Sequence, residues 1–328
     1  YNWLQTFLEA LSYKLIGEVR WGVKARVFTG AAASMLDLLT DIYVTYMFWK
    51  DSTKQGYFQA SLASLAVSMW FQLFFIWGQN KKLGVKQVLR EWFPVLIGFK
   101  PALDASRVAT GAKQEVGHAV EPMVEMTFMK GIEMFAEAIP GVIIQLMAIA
   151  TSDGEVATAA WISLAVSALT TGFASATISY DWDTDPMKRE QTPDFYGYVP
   201  ANVRKRLIIF VSLTMFSSGL LLIRSMTIVI LGLVGSKWVA LYIGADMGIY
   251  LLVKILRGDF WYWMPLGGKV EIVNSFFSRC NLKIISDFTC CVQLRHPNEI
   301  GGLTWSLEFA LTMVSLPVAI IVAKTQLS

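Results

Sequence analysis

Charge is scarce in this chain, and cysteine and histidine are scarcer. Of 328 residues, 16% are Asp, Glu, Lys or Arg, where a soluble domain carries about 25%. The three cysteines, Cys280, Cys290 and Cys291, make no CxxC pair, and there are two histidines. Neither a disulfide framework nor a zinc site is therefore expected. No GxSxG, HExxH or phosphate-loop sequence occurs, and no nucleophile stands with its base at a recognisable spacing. No loop has EF-hand spacing. The expectation is a protein that is not an enzyme, with no catalytic residue, no cofactor and no metal. The net charge of +3 comes from short basic clusters at the ends of apolar blocks, not from the basic stripe of a nucleic-acid binder. The ten-residue alternating segments of a membrane β-barrel are missing too.

What the chain has is long apolar runs. It is 55% hydrophobic, with a mean hydropathy of +0.48, and the apolar residues fall in blocks. Six blocks read as spanning helices, at 27–49, 56–78, 123–150, 155–178, 207–234 and 238–256. A seventh lies at 303–323, since proline, here Pro317, is tolerated in membrane helices. An eighth and weaker one at 270–293 carries Glu271, Arg279, Lys283 and Asp287, so it must be buried among other helices or lie at the interface. Residues 83–99 are too few to span and read as an interfacial or re-entrant helix. The fold class expected is all-α: a polytopic bundle of about eight membrane helices.

Lys and Arg set the orientation. They cluster before the first block (Lys14, Arg20, Lys24, Arg26), after the second (Lys81, Lys82, Lys86, Arg90) and after the fourth (Lys188, Arg189, Arg204, Lys205, Arg206). The turn TSDGE between the third and fourth blocks has acids and no bases. With eight spans this places both termini in the cytoplasm, in an integral membrane protein of the plasma membrane or of an organelle. The expected organisation is a cytoplasmic interfacial segment at 1–26, a first transmembrane half at 27–178, a polar cytoplasmic linker at 179–202 and a second half at 203–328. Each half opens on two apolar spans with an aspartate deep in one of them, a pattern consistent with a two-half pseudo-repeat. The chain begins at Tyr1 rather than Met, as expected for part of something longer.

The most informative residues are the charges inside the apolar blocks. A charge at membrane depth costs roughly 2.5–3.5 kcal/mol on insertion scales, so such residues face one another or water and mark pathways. Asp37 and Asp41 stand one turn apart on one helix face, and Glu133 and Glu137 repeat that spacing, with Lys130 three residues earlier. Arg224 lies mid-block, too deep to snorkel easily, and Asp246 is one helical hairpin away, which points to an Arg224–carboxylate pair. These seven residues are the candidate translocation path or charged core. Pro140 and Gly141, after the second acidic pair, permit a helix break. The opposing reading is that the charges are structural pairs that hold helices in register.

The first-span DLLTD at 37–41, together with EAIPGVIIQL at 137–146, resembles the XK-related membrane proteins, which carry an early aspartate pair and an acidic-x-x-Pro helix followed by Gln and Leu. The Gln that directly follows the proline in that family is Gly141 here, with Gln145 four residues on. The resemblance covers most of 27–325. It implies about eight membrane helices, an internal pseudo-repeat and charged residues through the membrane interior. Several members scramble phospholipids between leaflets, so it implies Asp37, Asp41, Glu133 and Glu137 in family-type charged positions, with Arg224 as basic partner. No caspase-type activation site is visible.

Scrambling fits the residues on physical grounds, since acids and bases stepped through the membrane replace the hydration of a lipid headgroup while the tails stay in lipid. No energy source is needed. Membrane phospholipids are then the expected partners, with a membrane-protein partner or a second copy of the chain beside them, and no nucleic acid. Two other readings stand open. One is an ion channel or ion-coupled transporter using the intramembrane carboxylates. The other is a non-transporting structural subunit of a membrane complex.

Overall fold

The computed structural model describes residues 20–110, 122–152, 156–191, 193, 196–200, 202–258, 271–290 and 302–327. The expectations for residues 1–19, for the bulk of the TSDGE turn and for residues 259–270 and 291–301 lie outside these. Among the described residues all regular structure is helical. Seven helices are long and apolar enough to cross a membrane. They are α1 (Arg20–Lys50), α2 (Gln55–Asn80), α5 (Pro122–Ala150), α6 (Thr158–Thr184), α8 (Val203–Val234), α9 (Ser236–Arg257) and α11 (Gly302–Leu327). Between them lie α3 (Val85–Leu96), α4 (Lys100–Ala109), α7 (Pro186–Gln191) and α10 (Glu271–Thr289). The last occupies the weaker eighth block. Its length suffices, but its polar residues keep it out of the seven.

The chain forms two compact units, Tyr1–Ser218 and Gly219–Ser328, divided within α8. That boundary differs from the linker at 179–202. Much of that linker is ordered, because α6 continues to Thr184 and the carboxylate of Asp183 accepts the backbone N–H groups of Gly197, Tyr198 and Val199 at 2.8–3.2 Å. Arg189 donates to the Asp183 carbonyl at 2.7 Å and Arg206 to that of Pro200 at 2.6 Å. Arg26, near the start of α1, pairs with Asp181 at 2.6 Å and lies over the Tyr180 ring.

In the first unit, α1, α2, α5 and α6 pack around a core rich in hydroxyls. One face of α6 consists of Ser163, Ser167, Thr171, Gly172 and Ser175, all buried. Small residues let backbones approach closely. A Cβ on Gly172 would stand 2.6 Å from the Thr214 carbonyl on α8, so glycine is required there. Ser217 reaches Ser175 at 3.2 Å.

Residues 83–99 hold the short helix expected, α3, and α4 follows it directly. α3 ascends and the chain reverses at Gly98, whose φ of +70° suits glycine. α4 then descends beside the N-terminal half of α1, where Ala105 packs on Val27 and Ala31. At about 18 and 15 Å neither helix can cross a bilayer. The tip at Gly98 abuts Leu38, mid-way along the apolar part of α1. The pair is a hairpin whose tip packs against the middle of the first apolar span.

α5 does not break at Pro140 or Gly141. Helix runs from Pro122 to Ala150, and the disturbance is a π-helical stretch over Met134–Ala138 just before the proline. Pro140 has no N–H to give the carbonyl four residues earlier, that of Ala136. The Ser64 hydroxyl on α2 supplies that bond at 2.7 Å.

Candidate functional site

The structure brings three of the predicted carboxylates into one polar layer of the first unit. Asp37 and Asp41 are both buried on α1. Ser167 of α6 donates to Asp37 at 2.5 Å. Asp41 accepts from Gln145 of α5 at 2.9 Å and more weakly from Ser167 and Ser163. Glu137 accepts from Ser68 of α2 at 2.9 Å. Each partner is a neutral hydroxyl or amide. Among the described residues no cation comes within ion-pair distance of Asp37, Asp41 or Glu137. Lys130 instead contacts Ser34 and pairs with Glu133 at 3.2 Å. The wider π turn separates the two glutamates, so that Glu137 is the more buried and Glu133, 20% exposed in its side chain, stays with Lys130.

A cavity lies on each side of this layer. The first, about 420 Å³, is walled mainly by apolar residues of α1, α2, the hairpin, α5 and α6. Ser34, Gln72, Lys130, Glu133 and Glu137 give it one polar side. Its exposed apolar lining, Ile42, Leu62 and Met69, belongs to α1 and α2, so its mouth opens laterally between the first two spans. The second cavity, also about 420 Å³, lies toward the α1–α2 and α5–α6 turns, with Val44, Phe48, Ala148 and Ala160 inside and Lys50, Asp51 and Lys54 at its rim. Gln145 closes its floor. Along α1 the lining residues run from Arg26 to Ile42 in the first cavity and from Val44 onward in the second. The Asp41 level is the partition.

A buried ionic cluster at the root of the hairpin was not legible as a site. Lys100 reaches Glu125 at 2.6 Å, Asp104 at 2.7 Å and Glu91 at 3.4 Å. Arg107 grips Glu91 through two bonds, 2.9 and 2.5 Å, and Gln79 donates to Glu125 at 2.9 Å. Five elements are thereby tied: α2, α3, α4, α5 and, through Ala105, α1. Three carboxylates share two cations, an excess of one negative charge. Burial pushes the Asp104 carboxyl up to about 6, with Glu125 adding to the rise and Lys100 opposing it. Burial also works against the Glu91 carboxylate, yet Arg107 and Lys100 outweigh it and hold it below its ordinary range. The sequence signal was the Lys100, Asp104 and Arg107 spacing in KPALDASR, which puts all three on one helix face.

In the second unit Arg224 does pair with Asp246, at 2.9 Å, and also with Asp287 at 3.3 Å. Lys283 joins the same two acids at 3.2 and 2.5 Å and approaches Glu308 at 3.9 Å. Arg224 donates to Thr312 at 3.3 Å and lies over the Phe288 ring. The polar residues of α10 are therefore bought back by burial against α8, α9 and α11, with Arg279, Lys283 and Asp287 all shielded. Lys283 and Asp287 belong to this network as much as the predicted Arg224 and Asp246. Among the described residues no group of three or more His, Cys, Asp or Glu is placed to hold a metal ion.

No protein-family model, curated protein or solved structure matches this chain.

Proposed function

We propose that this polytopic membrane protein moves phospholipids between leaflets without an energy source, as its resemblance to the XK-related proteins implies. The observation that carries the reading is the first cavity. It is apolar over most of its wall, opens between two membrane-spanning helices through exposed Ile42, Leu62 and Met69, and has Lys130 beside Glu133 and Glu137 on its polar side. An amphiphile fits such a lining, with an acyl chain against the apolar wall, a phosphate at Lys130 and an ammonium at the glutamates. At about 420 Å³ the cavity falls in the size range of small-molecule pockets, about 300–1,000 Å³. In this reading α10 is the eighth crossing, the units derive from a pseudo-repeat, and both termini lie in the cytoplasm.

The test is exchange of a fluorescent lipid in liposomes holding the purified protein, with dithionite added outside and a sealed soluble dye to report leaks. Bleaching beyond the outer-leaflet share supports the reading. It should be lost in Ala66→Trp, which narrows the cavity mouth on α2, and in the double variant Asp37→Ala with Asp41→Ala. Bleaching confined to the outer leaflet, or unchanged by all these substitutions, contradicts it. The ion-pathway reading has its own observation, the absence of cationic partners at Asp37, Asp41 and Glu137 among the described residues.

A further inference from the structure

The partition at Asp41 is not solid. A void of about 10 Å³ lies within it, among Asp41, Thr45, Ser61, Ser64, Glu137, Gly141 and Gln145. That is room for one water and nothing larger, and its walls supply the several polar partners a buried water needs. Gln145 is buried and spends its N–H on Asp41, so its Oε1 has no donor among the protein groups. A buried amide oxygen left without a donor is costly, and a water in the void provides one.

We propose that this void is a one-water site and that the water joins Asp41 to Glu137 in a proton path through the first unit. The connections on either side are already built. Glu137 lines both the void and the first cavity, and Gln145 lines both the void and the second. A proton entering from the second cavity passes beside Gln145 to the water, which gives up one of its own protons to a carboxylate oxygen of Asp41 or Glu137. From Glu137 it passes to water on the polar side of the first cavity, which Glu133 also lines. Each hop breaks one O–H bond and makes another, so the water and the carboxylates are restored and no oxidant or reductant takes part. The Gln145 amide carries no proton and holds the water in place. Ser68 and Ser167 orient the carboxylates by donating to Glu137 and Asp37. A lipid headgroup cannot enter 10 Å³, so the path operates in the conformation that blocks lipid and does not depend on the scrambling reading.

The whole chain is reconstituted in liposomes with a pH-sensitive dye inside, and proton entry is driven by valinomycin-dependent potassium efflux. Wild type should acidify the lumen faster than protein-free vesicles. Gly141→Ala is the sharpest variant: its methyl would stand 3.6 Å from Asp41 Oδ2, an ordinary contact, and would fill the void while sparing every carboxylate. Entry should fall to the protein-free level. Glu137→Gln, which keeps the shape and the Ser68 contact, should do the same by removing the receiving carboxylate. Wild-type entry equal to protein-free vesicles overturns the proposal, and so does full entry in both Gly141→Ala and Glu137→Gln. Scrambling measured in the same vesicles separates the two claims: lipid exchange without proton entry overturns the relay alone.

Discussion

The layer around Asp37, Asp41 and Glu137 and the network around Arg224 and Lys283 meet the same cost by opposite means. In the second unit every carboxylate of the network faces a cation, and the two cations bridge helices α8, α9, α10 and α11. In the first unit the carboxylates are held by Ser68, Ser167 and Gln145, which bring no charge, and a cavity adjoins each side. A buried ion pair is a poor source of net stability, but removing one partner is severe, since the other charge stays behind. Carboxylates held by neutral donors leave no such stranded cation when they are neutralised. The difference separates charges that tie helices to one another from carboxylates that adjoin open cavities, and it fits the idea that intramembrane acids mark pathways.

That contrast can be broken by substitution. The largest effect is expected for Lys100→Met at the hairpin root, the other cation-held cluster, where Glu125 and Asp104 lose contacts of 2.6 and 2.7 Å. A loss of about 3–5 kcal/mol is expected, read as a lower thermal midpoint in detergent. Lys283→Met should be nearly as damaging, somewhat relieved because Arg224 still reaches Asp246 and Asp287. If either variant melts with wild type, the ionic clusters are not the locks described here.

A smaller effect is expected for Ser64→Ala. It takes away the hydroxyl that donates to the Ala136 carbonyl, which Pro140 cannot serve, and should cost about 1–3 kcal/mol. Ser64→Thr, which keeps the hydroxyl, should recover most of it.

The smallest effect has a pH signature. Because the folded Asp104 carboxyl titrates near 6 rather than at its ordinary 3.8, the folded state binds that proton more tightly than the unfolded chain does. Its contribution to stability is present below pH 3.8 and lost as pH rises through about 6. Asp104→Asn removes the excess negative charge at the hairpin root. The variant should melt above wild type at neutral and higher pH, and the gap should close on acidification. A gap that is constant with pH contradicts this account.

The spans were legible because twenty or so apolar residues in a row have few other uses. Asp37, Asp41 and Arg224 were legible because a charge within such a run must have a partner. The pairing of Arg224 with Asp246 followed from their places on consecutive helices. The hairpin root was hidden for a different reason: Glu91, Lys100 and Glu125 sit at the ends of apolar blocks, where a charge ordinarily means solvent, and only the packing of the hairpin against α1, α2 and α5 buries them. The π turn before Pro140 also escaped reading, since a proline predicts a disturbed helix but not which turn widens. Ser64, Ser68 and Ser167 carried no signal at all, and Gln145 appeared only as part of a motif. Polar uncharged residues are common in membrane helices, and their roles depend on which helix they face. Similarly, Asp183 read as linker, yet its carboxylate gathers the three backbone N–H groups that order the chain after α7.

The most direct measurement compares Asp41→Asn with Asp287→Asn, one near-isosteric change in each kind of site, scored for both thermal stability and lipid exchange in liposomes. The account predicts that Asp41→Asn melts close to wild type and loses exchange. It predicts that Asp287→Asn drops in stability, because Arg224 and Lys283 lose a shared counter-charge. An Asp41→Asn protein that exchanges lipid like wild type, or that melts as low as Asp287→Asn, would contradict it.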